Sequence, residues 1–238
     1  MAFTKELYDA IRKDAEVKEL VINGRRFTDK PIHPVLAAEP DPVGISTLTG
    51  LLDYLAANVD NLNLESLMVM VKSPSYVELV SDLHSEHCQR SSVMKVKATL
   101  PKTFFECQLP AEAFNIWLQS GFVDTPERAN VLGYAGNVVA TADATVMDDG
   151  TSQAVTVRSG ITSKAVKKLP NPVILAPYRT FAEVQQPESA FVFRVHDGLK
   201  FSLTEADGGA WRNHAMHNIS TWLKAQFEAM SIPVTVIA

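Results

Sequence analysis

The apolar positions of this chain change period repeatedly, and each change marks an element. Leu7, Ile11 and Ala15 recur every four residues, which predicts a first helix with one apolar face. LVINGRRF (20–27) follows, with Asn23-Gly24 between two short runs, and predicts a hairpin. Pro31, Pro34, Pro40 and Pro42 crowd residues 30–44 and predict an irregular arm. Leu48, Leu51, Leu52, Leu55, Val59 and Leu62 form a stripe that predicts a second helix, capped by Ser46. LMVMV (67–71) is apolar at both parities and predicts a central strand covered on both faces. YVELV (76–80) predicts the next strand, after the Ser73-Pro74 break. In VMKVKATL, Met94, Val96, Ala98 and Leu100 alternate with Lys95, Lys97 and Thr99, the pattern of a half-buried strand.

Further along, Pro110 opens a helix carrying Phe114, Trp117, Leu118 and Phe122. Thr125-Pro126-Glu127 starts another, running towards Thr141 through Gly133 and Gly136, which weaken it but permit close packing. Asp148-Asp149-Gly150 reads as a turn. QAVTVR, PVILA, AFVFRV and LKFSL read as strands, the last two joined by His196-Asp197-Gly198. The final helix holds Trp211, Ala215, Met216, Ile219, Trp222, Leu223 and Phe227, before a short strand, PVTVIA. Its apolar stripe is expected to cover the strands containing Phe191, Phe193, Phe201 and Leu203. Strands and helices in mixed runs argue for an α+β fold, a mainly antiparallel sheet with packed helices and the C-terminal helix on the sheet. One domain over 1–238 is expected, with the arm at 30–44 and a weak subdivision near 148–152.

Composition narrows the setting. With 46% hydrophobic residues and a mean hydropathy of +0.01, either the core is large or other subunits cover apolar surface. No apolar run reaches the roughly 18 residues of a membrane span, and MAFTKELYDAIRKDAE lacks the apolar centre of a signal peptide. A net charge of −5 and a pI near 5.7 argue against nucleic acid as a direct ligand. The cations are scattered, at Arg25-Arg26, Lys95 and Lys97, and Lys164 with Lys167-Lys168; net charge leaves a local patch open. Two cysteines, Cys88 and Cys107, make no disulfide framework and suit a reducing cytoplasm.

The chemistry-bearing clusters divide into bland and sharp. His84, Glu86, His87 and Cys88 offer zinc-binding atoms but no distant second half-site, so a polar loop is expected. His214 and His217 fall at the edge of the last helix's apolar stripe, which suits solvent or a partner better than a metal. Asp148-Asp149 lacks further carboxylates at cation-site offsets. No metal and no cofactor is expected. Arg179, between Tyr178 and Phe181, is suited to a carboxylate or phosphate, or to an internal pair with Glu183, Glu205 or Asp207; Arg194 shares that ambiguity. Glu205, Asp207, Gly208 and Gly209 stand at a helix start, where backbone N–H groups favour anions. The two carboxylates would repel a phosphate there, and Asp207 is better placed as a cap. The candidate ligand or partner residues are therefore Tyr178, Arg179, Arg194, Glu205, Asp207, Gly208 and Gly209. GxSxG, Walker A, GxGxxG, HExxH and CxxC patterns are all absent, which favours a non-enzymatic role. An enzyme would rest on Glu205, Asp207 and the aspartate pair alone.

DDGTSQAVTVRSG (148–160), NPVILAPYRTFAEVQQPES (171–189), FVFR (191–194) and EADGGAW (205–211) resemble the YfdQ-like family of phage and prophage proteins. The likeness reaches back to FNIWLQSGFVDTPERANVL (114–132) and is less obvious before about residue 90. It implies a cytoplasmic protein made from a phage or prophage gene in a host bacterial cell, and carries over no catalytic residue. Three roles are consistent with that origin. One is a self-assembling protein of more than two subunits, the arm crossing onto a neighbour. Another is a protein that sequesters a nucleotide or small anion and so counters host defence. The third is an accessory to phage DNA recombination.

Overall fold

The computed structural model describes residues 4–30, 40–84, 88–139, 145–148, 153–159, 163–168 and 171–238; from 137 to 168 only the backbone is described. The chain divides into two units, Met1–Pro40 and Asp41–Ala238.

In the first unit, α1 (Lys5–Ala15) is capped by Thr4, whose hydroxyl accepts from the Leu7 N–H at 3.3 Å. A hairpin follows, β1 (Glu19–Ile22) and β2 (Arg25–Thr28), paired Leu20 to Phe27 and Ile22 to Arg25. Asn23 and Gly24 both have positive φ, 51° and 75°, which gives the tight turn the twist that two-residue hairpins require. No residue of α1, β1 or β2 is buried. Most of the proline-rich arm, residues 31–39, lies outside the described residues. Its C-terminal end is not irregular, because Val43–Ile45 forms an edge strand.

The second unit is built in chain order from β3 (Val43–Ile45), α2 (Leu48–Ala57), β4 (Leu67–Ser73), β5 (Tyr76–Ser81), β6 (Ser92–Lys97), β7 (Leu109–Pro110), α3 (Ala111–Gly121), α4 (Pro126–Val139), β8 (Thr145–Asp148), β9 (Gln153–Ser159), β10 (Ser163–Lys168), β11 (Val173–Leu175), β12 (Ser189–His196), β13 (Lys200–Glu205), α5 (Trp211–Ala229) and β14 (Thr235–Ile237). They form three sheets, ordered β14-β4-β5-β6-β3, β11-β12-β13-β7 and β10-β9-β8. Pairing is antiparallel except at the two edges of the five-stranded sheet, where β14 and β3 run parallel to their neighbours. The fold is α+β. The turn near 148–152 falls mostly outside the described residues, as do residues 140 and 141, towards which the fourth helix is expected to run.

Two cores result. Val69 and Val71 of β4, Val77 and Leu79 of β5, and Met94 and Val96 of β6 share one face of the five-stranded sheet. The leucines of α2 and Ile219, Leu223 and Phe227 of α5 close over that face. Thr47, not Ser46, caps α2, accepting from the Gly50 N–H at 3.2 Å. Asn58, at φ 40°, ends that helix, so Val59 lies beyond its stripe and is exposed. In the second core, Phe114, Trp117 and Leu118 of α3 with Val131 and Tyr134 of α4 cover Phe191, Phe193, Phe201 and Leu203.

Two expectations are corrected here. The apolar face of α5 lies on β4 and β14, not on the strands of Phe191 and Phe201. The aromatic face of those strands is taken by α3, with Phe114 tilted against Phe193 and Phe201 at 5.8 and 5.3 Å. Nor is β4 covered on both faces: Met68 and Met70 point away from the core and are only half-buried.

Candidate functional site

The segment after β11 joins the two cores. Val173 and Leu175 belong to the aromatic core, whereas Phe181 and Val184 insert into the core under α2 and α5. Buried Gln186 holds this loop. Its Oε1 accepts from the N–H groups of Arg179 and Thr180 at 3.0 and 3.2 Å. Its Nε2 donates to the carbonyls of Phe181 and Val184 at 2.9 and 3.3 Å. Thr180 donates its hydroxyl to the Pro74 carbonyl in the β4–β5 turn at 2.6 Å, and the Glu183 carboxylate accepts from the Thr49 N–H at the start of α2 at 3.2 Å. Arg179 is thereby fixed where the two sheets meet.

Arg179 is 4% exposed and its guanidinium is enclosed. Nη1 binds Glu205 Oε1 at 2.6 Å, at the end of β13. Nη2 donates to Ser189 Oγ and, at 3.4 Å, to the Pro187 carbonyl. Ser189 in turn donates to Asp207 Oδ2 at 2.7 Å. The Trp211 ring lies 3.9 Å from the guanidinium carbon, and Phe191 lies at 5.8 Å. Burial lowers the Arg179 pKa to about 10 and Arg212 adds to the lowering, while Glu205 and Asp207 oppose it. The group remains a cation at neutral pH.

Asp207 organises the turn into α5. Its carboxylate accepts from the N–H groups of Gly209 at 2.9 Å and Trp211 at 3.3 Å. Burial alone would raise its pKa, but the Ser189 hydroxyl, the two backbone N–H groups and Arg179 hold it below the usual aspartate range. Gly208 and Gly209 have φ of 62° and 83°, the left-handed region that side chains disfavour. A Cβ on Gly209 would meet Arg212 Nη1 at 2.2 Å, so the glycine also makes room for that guanidinium.

A cleft of about 480 Å³ opens beside this network. Ser73 and Ser75 of the β4–β5 turn form one wall; Arg179, Glu205, Trp211 and Arg212 form another. Exposed Arg212 stacks on Trp211 at 5.0 Å and makes no ion pair among the described residues. Two buried donors beside it, Arg179 Nε and Trp211 Nε1, have no acceptor among the described residues. Asp207 and Oε1 of Glu205 are engaged within the network, which leaves Arg212 as the exposed cation of this wall.

Of the seven candidate residues, Arg179, Glu205, Asp207, Gly208 and Gly209 come together. Tyr178 is 38% exposed and Arg194 leaves β12 on the face opposite Ser189 and Phe191; neither lines the cleft. Sequence reasoning missed Ser189, Gln186 and Arg212, and placed Trp211 in the apolar stripe of α5. The Gly208-Gly209 turn, one residue removed from Trp211-Arg212, was the available signal for the last two.

The other clusters behave differently. His84 is held by Ser81 Oγ at Nδ1 and Ser91 Oγ at Nε2, both at 3.1 Å, while residues 85–87 lie outside the described residues. His214 and His217 are exposed on α5. Among the described residues no group of three His, Cys, Asp or Glu side chains is disposed to hold a metal, and no helix is long and apolar enough to cross a membrane. No family model, curated protein or solved structure matches the chain.

Proposed function

We propose that the protein is a non-enzymatic binder of a small anionic molecule, a carboxylate or phosphate ester, held in the cleft beside Trp211. The Arg212 guanidinium supports this reading: it lines the cleft, is exposed, stacks on Trp211 and makes no ion pair among the described residues. An anion contributes several acceptor oxygens at once, and Arg presents a planar fork suited to them. A cleft of about 480 Å³ is within the usual range for small ligands. In a phage or prophage setting, holding such a molecule inside the host cell would amount to sequestration.

The test is a melting-temperature and calorimetric titration of the full chain with inorganic phosphate, nucleoside monophosphates and dicarboxylates. A ligand at a hundred times its Kd stabilises by about 2.7 kcal/mol. Arg212→Ala should abolish that gain without lowering the unliganded melting temperature. Titrations flat across all three classes, or a gain retained by R212A, would remove the reading.

Self-association is supported by a separate observation. None of the described residues of the N-terminal unit is buried, although Leu7, Ile11, Leu20 and Phe27 are apolar, and an isolated two-stranded hairpin is marginal in water. A second copy of the chain would cover these faces in a closed oligomer. Light scattering should give a multiple of 26.1 kDa for the native chain and a smaller mass for the Leu7→Lys, Ile11→Lys double variant. A monomer mass for the native chain excludes this reading.

A further inference from the structure

Among the described residues of the second unit, the helices packed on the five-stranded sheet, α2 and α5, lie on one face. On the other, strand parity places Met68, Met70 and Lys72 of β4, Tyr76, Glu78 and Val80 of β5, and Lys95 and Lys97 of β6. Glu78 is the only carboxylate among these strand positions. It is 6% exposed, bound by Lys72 and by the Ser92 hydroxyl at 2.6 Å, and so already neutralised. Lys95 and Lys97 are exposed and make no hydrogen bond or ion pair among the described residues. Lys72, Lys95 and Lys97 against Glu78 leave these strand positions two positive charges in excess, on a chain whose net charge is −5; Lys95 stands directly across from Glu78 and helps hold its carboxyl ionised. A hollow of about 450 Å³ lies against it, lined by Tyr76, Lys95 and Lys97, with Gly44, Ser46 and Thr99 at its rim.

We infer that the Lys95–Lys97 edge of this face binds single-stranded nucleic acid, one base lying against Tyr76 in the hollow and the flanking phosphates on Lys95 and Lys97. Three features fit that occupant together. Lys95 and Lys97, two positions apart on one strand, project to the same side roughly 6.7 Å apart, a spacing suited to successive phosphates of an extended strand. Tyr76 is the cross-strand neighbour of Lys97, so a ring stands next to the cations. Flat sheet faces that combine an aromatic ring with cations hold unstacked bases, which a duplex does not present. Lysines and one ring recognise any phosphate and any base face, so binding is indifferent to sequence. The acidic composition lowers non-specific attraction to the chain as a whole without removing this local patch.

The experiment is fluorescence anisotropy of labelled twelve-nucleotide oligo(dT), oligo(rU) and a twelve-base-pair duplex with the full chain, over a range of salt. Binding to the single strands is expected, with log K falling against log salt at a slope of about −1.4, as two phosphate contacts require. Lys95→Gln and Lys97→Gln should each reduce that slope by about 0.7. Tyr76→Leu should weaken binding roughly 5- to 150-fold with the slope unchanged, as the loss of one stacked base implies. Oligo(dT) and oligo(rU) binding alike supports the inference, and a preference for one assigns the sugar. Three results overturn it: no binding at low salt, equal binding of the duplex, or binding untouched in the K95Q/K97Q double variant. Arg212→Ala serves as a control that should leave this binding intact, which separates it from the cleft. Unchanged melting temperatures establish that the variants are folded.

Discussion

At the scale of single residues, Asp207 carries more of the architecture than its position before a helix suggests. It receives the Ser189 hydroxyl and two backbone N–H groups, and through Ser189 it is coupled to Arg179. A carboxyl whose folded pKa is depressed adds stability that is complete above its unfolded value, near 3.8. That contribution declines as pH falls below the unfolded value and is gone beneath the folded one. Acid unfolding should therefore have a limb that Asp207→Asn makes shallower, with stability at neutral pH reduced. Urea titrations at stepped pH check this, and an acid limb identical in the variant counts against the coupling. Glu78 contributes with the same sign, since Lys72 and Ser92 hold its pKa down despite burial. The pairing of Arg179 with a nearby carboxylate was legible because an arginine between aromatic residues needs a partner when buried. The role of Gln186 was not, because a glutamine in a loop carries no pattern that distinguishes a four-bond clamp from a solvated side chain.

At the scale of elements, period revealed identity better than partnership. The stripe of α2 as far as Leu55 and the alternation of β6 at Met94 and Val96 correspond to the faces they bury, whereas Val59 and Leu100 lie beyond these elements and are exposed. The stripe of α5 was equally clear, yet it covers β4 and β14 and not the phenylalanine-rich strands. An apolar stripe says that a face is buried and says nothing of what buries it. The methionines of β4 misled in the complementary way, since apolar character alone cannot separate a covered face from a half-exposed one. Strand Val43–Ile45 was obscured by the prolines before it. These placements separate two neighbours on α5. Leu223 is fully buried and Trp222 only partly so. Leu223→Ala should cost about 2–5 kcal/mol, and Trp222→Ala should cost less despite the larger side chain. Equal or inverted losses in denaturant unfolding would contradict the packing of this helix.

At the scale of the whole second unit, two cores are tied by one short loop. Phe181 is buried in the core of the five-stranded sheet, while Val173 and Leu175, a few residues earlier, lie in the aromatic core. Phe181→Ala should cost about 3–5 kcal/mol, and at roughly 2–4 °C per kcal/mol should lower the melting temperature by roughly ten degrees. Trp117 reports on the aromatic core and Trp222 on the other. Their fluorescence transitions should coincide in the native chain and separate in the variant. A variant with coincident transitions and an unshifted midpoint would show that the loop is not the tie.

The pairing of β14 with β4 also sets a schedule. Thr235 follows its partner Met68 by 167 positions. A ribosome adding about 5–20 residues per second needs roughly ten to thirty seconds to cover that distance. For that interval the backbone of β4 has an unpaired edge beside an apolar face, a template for a neighbouring nascent chain. Crowded translation of one message is thus the condition under which this fold is most prone to mispair, and slower synthesis between the two strands would lengthen the exposure.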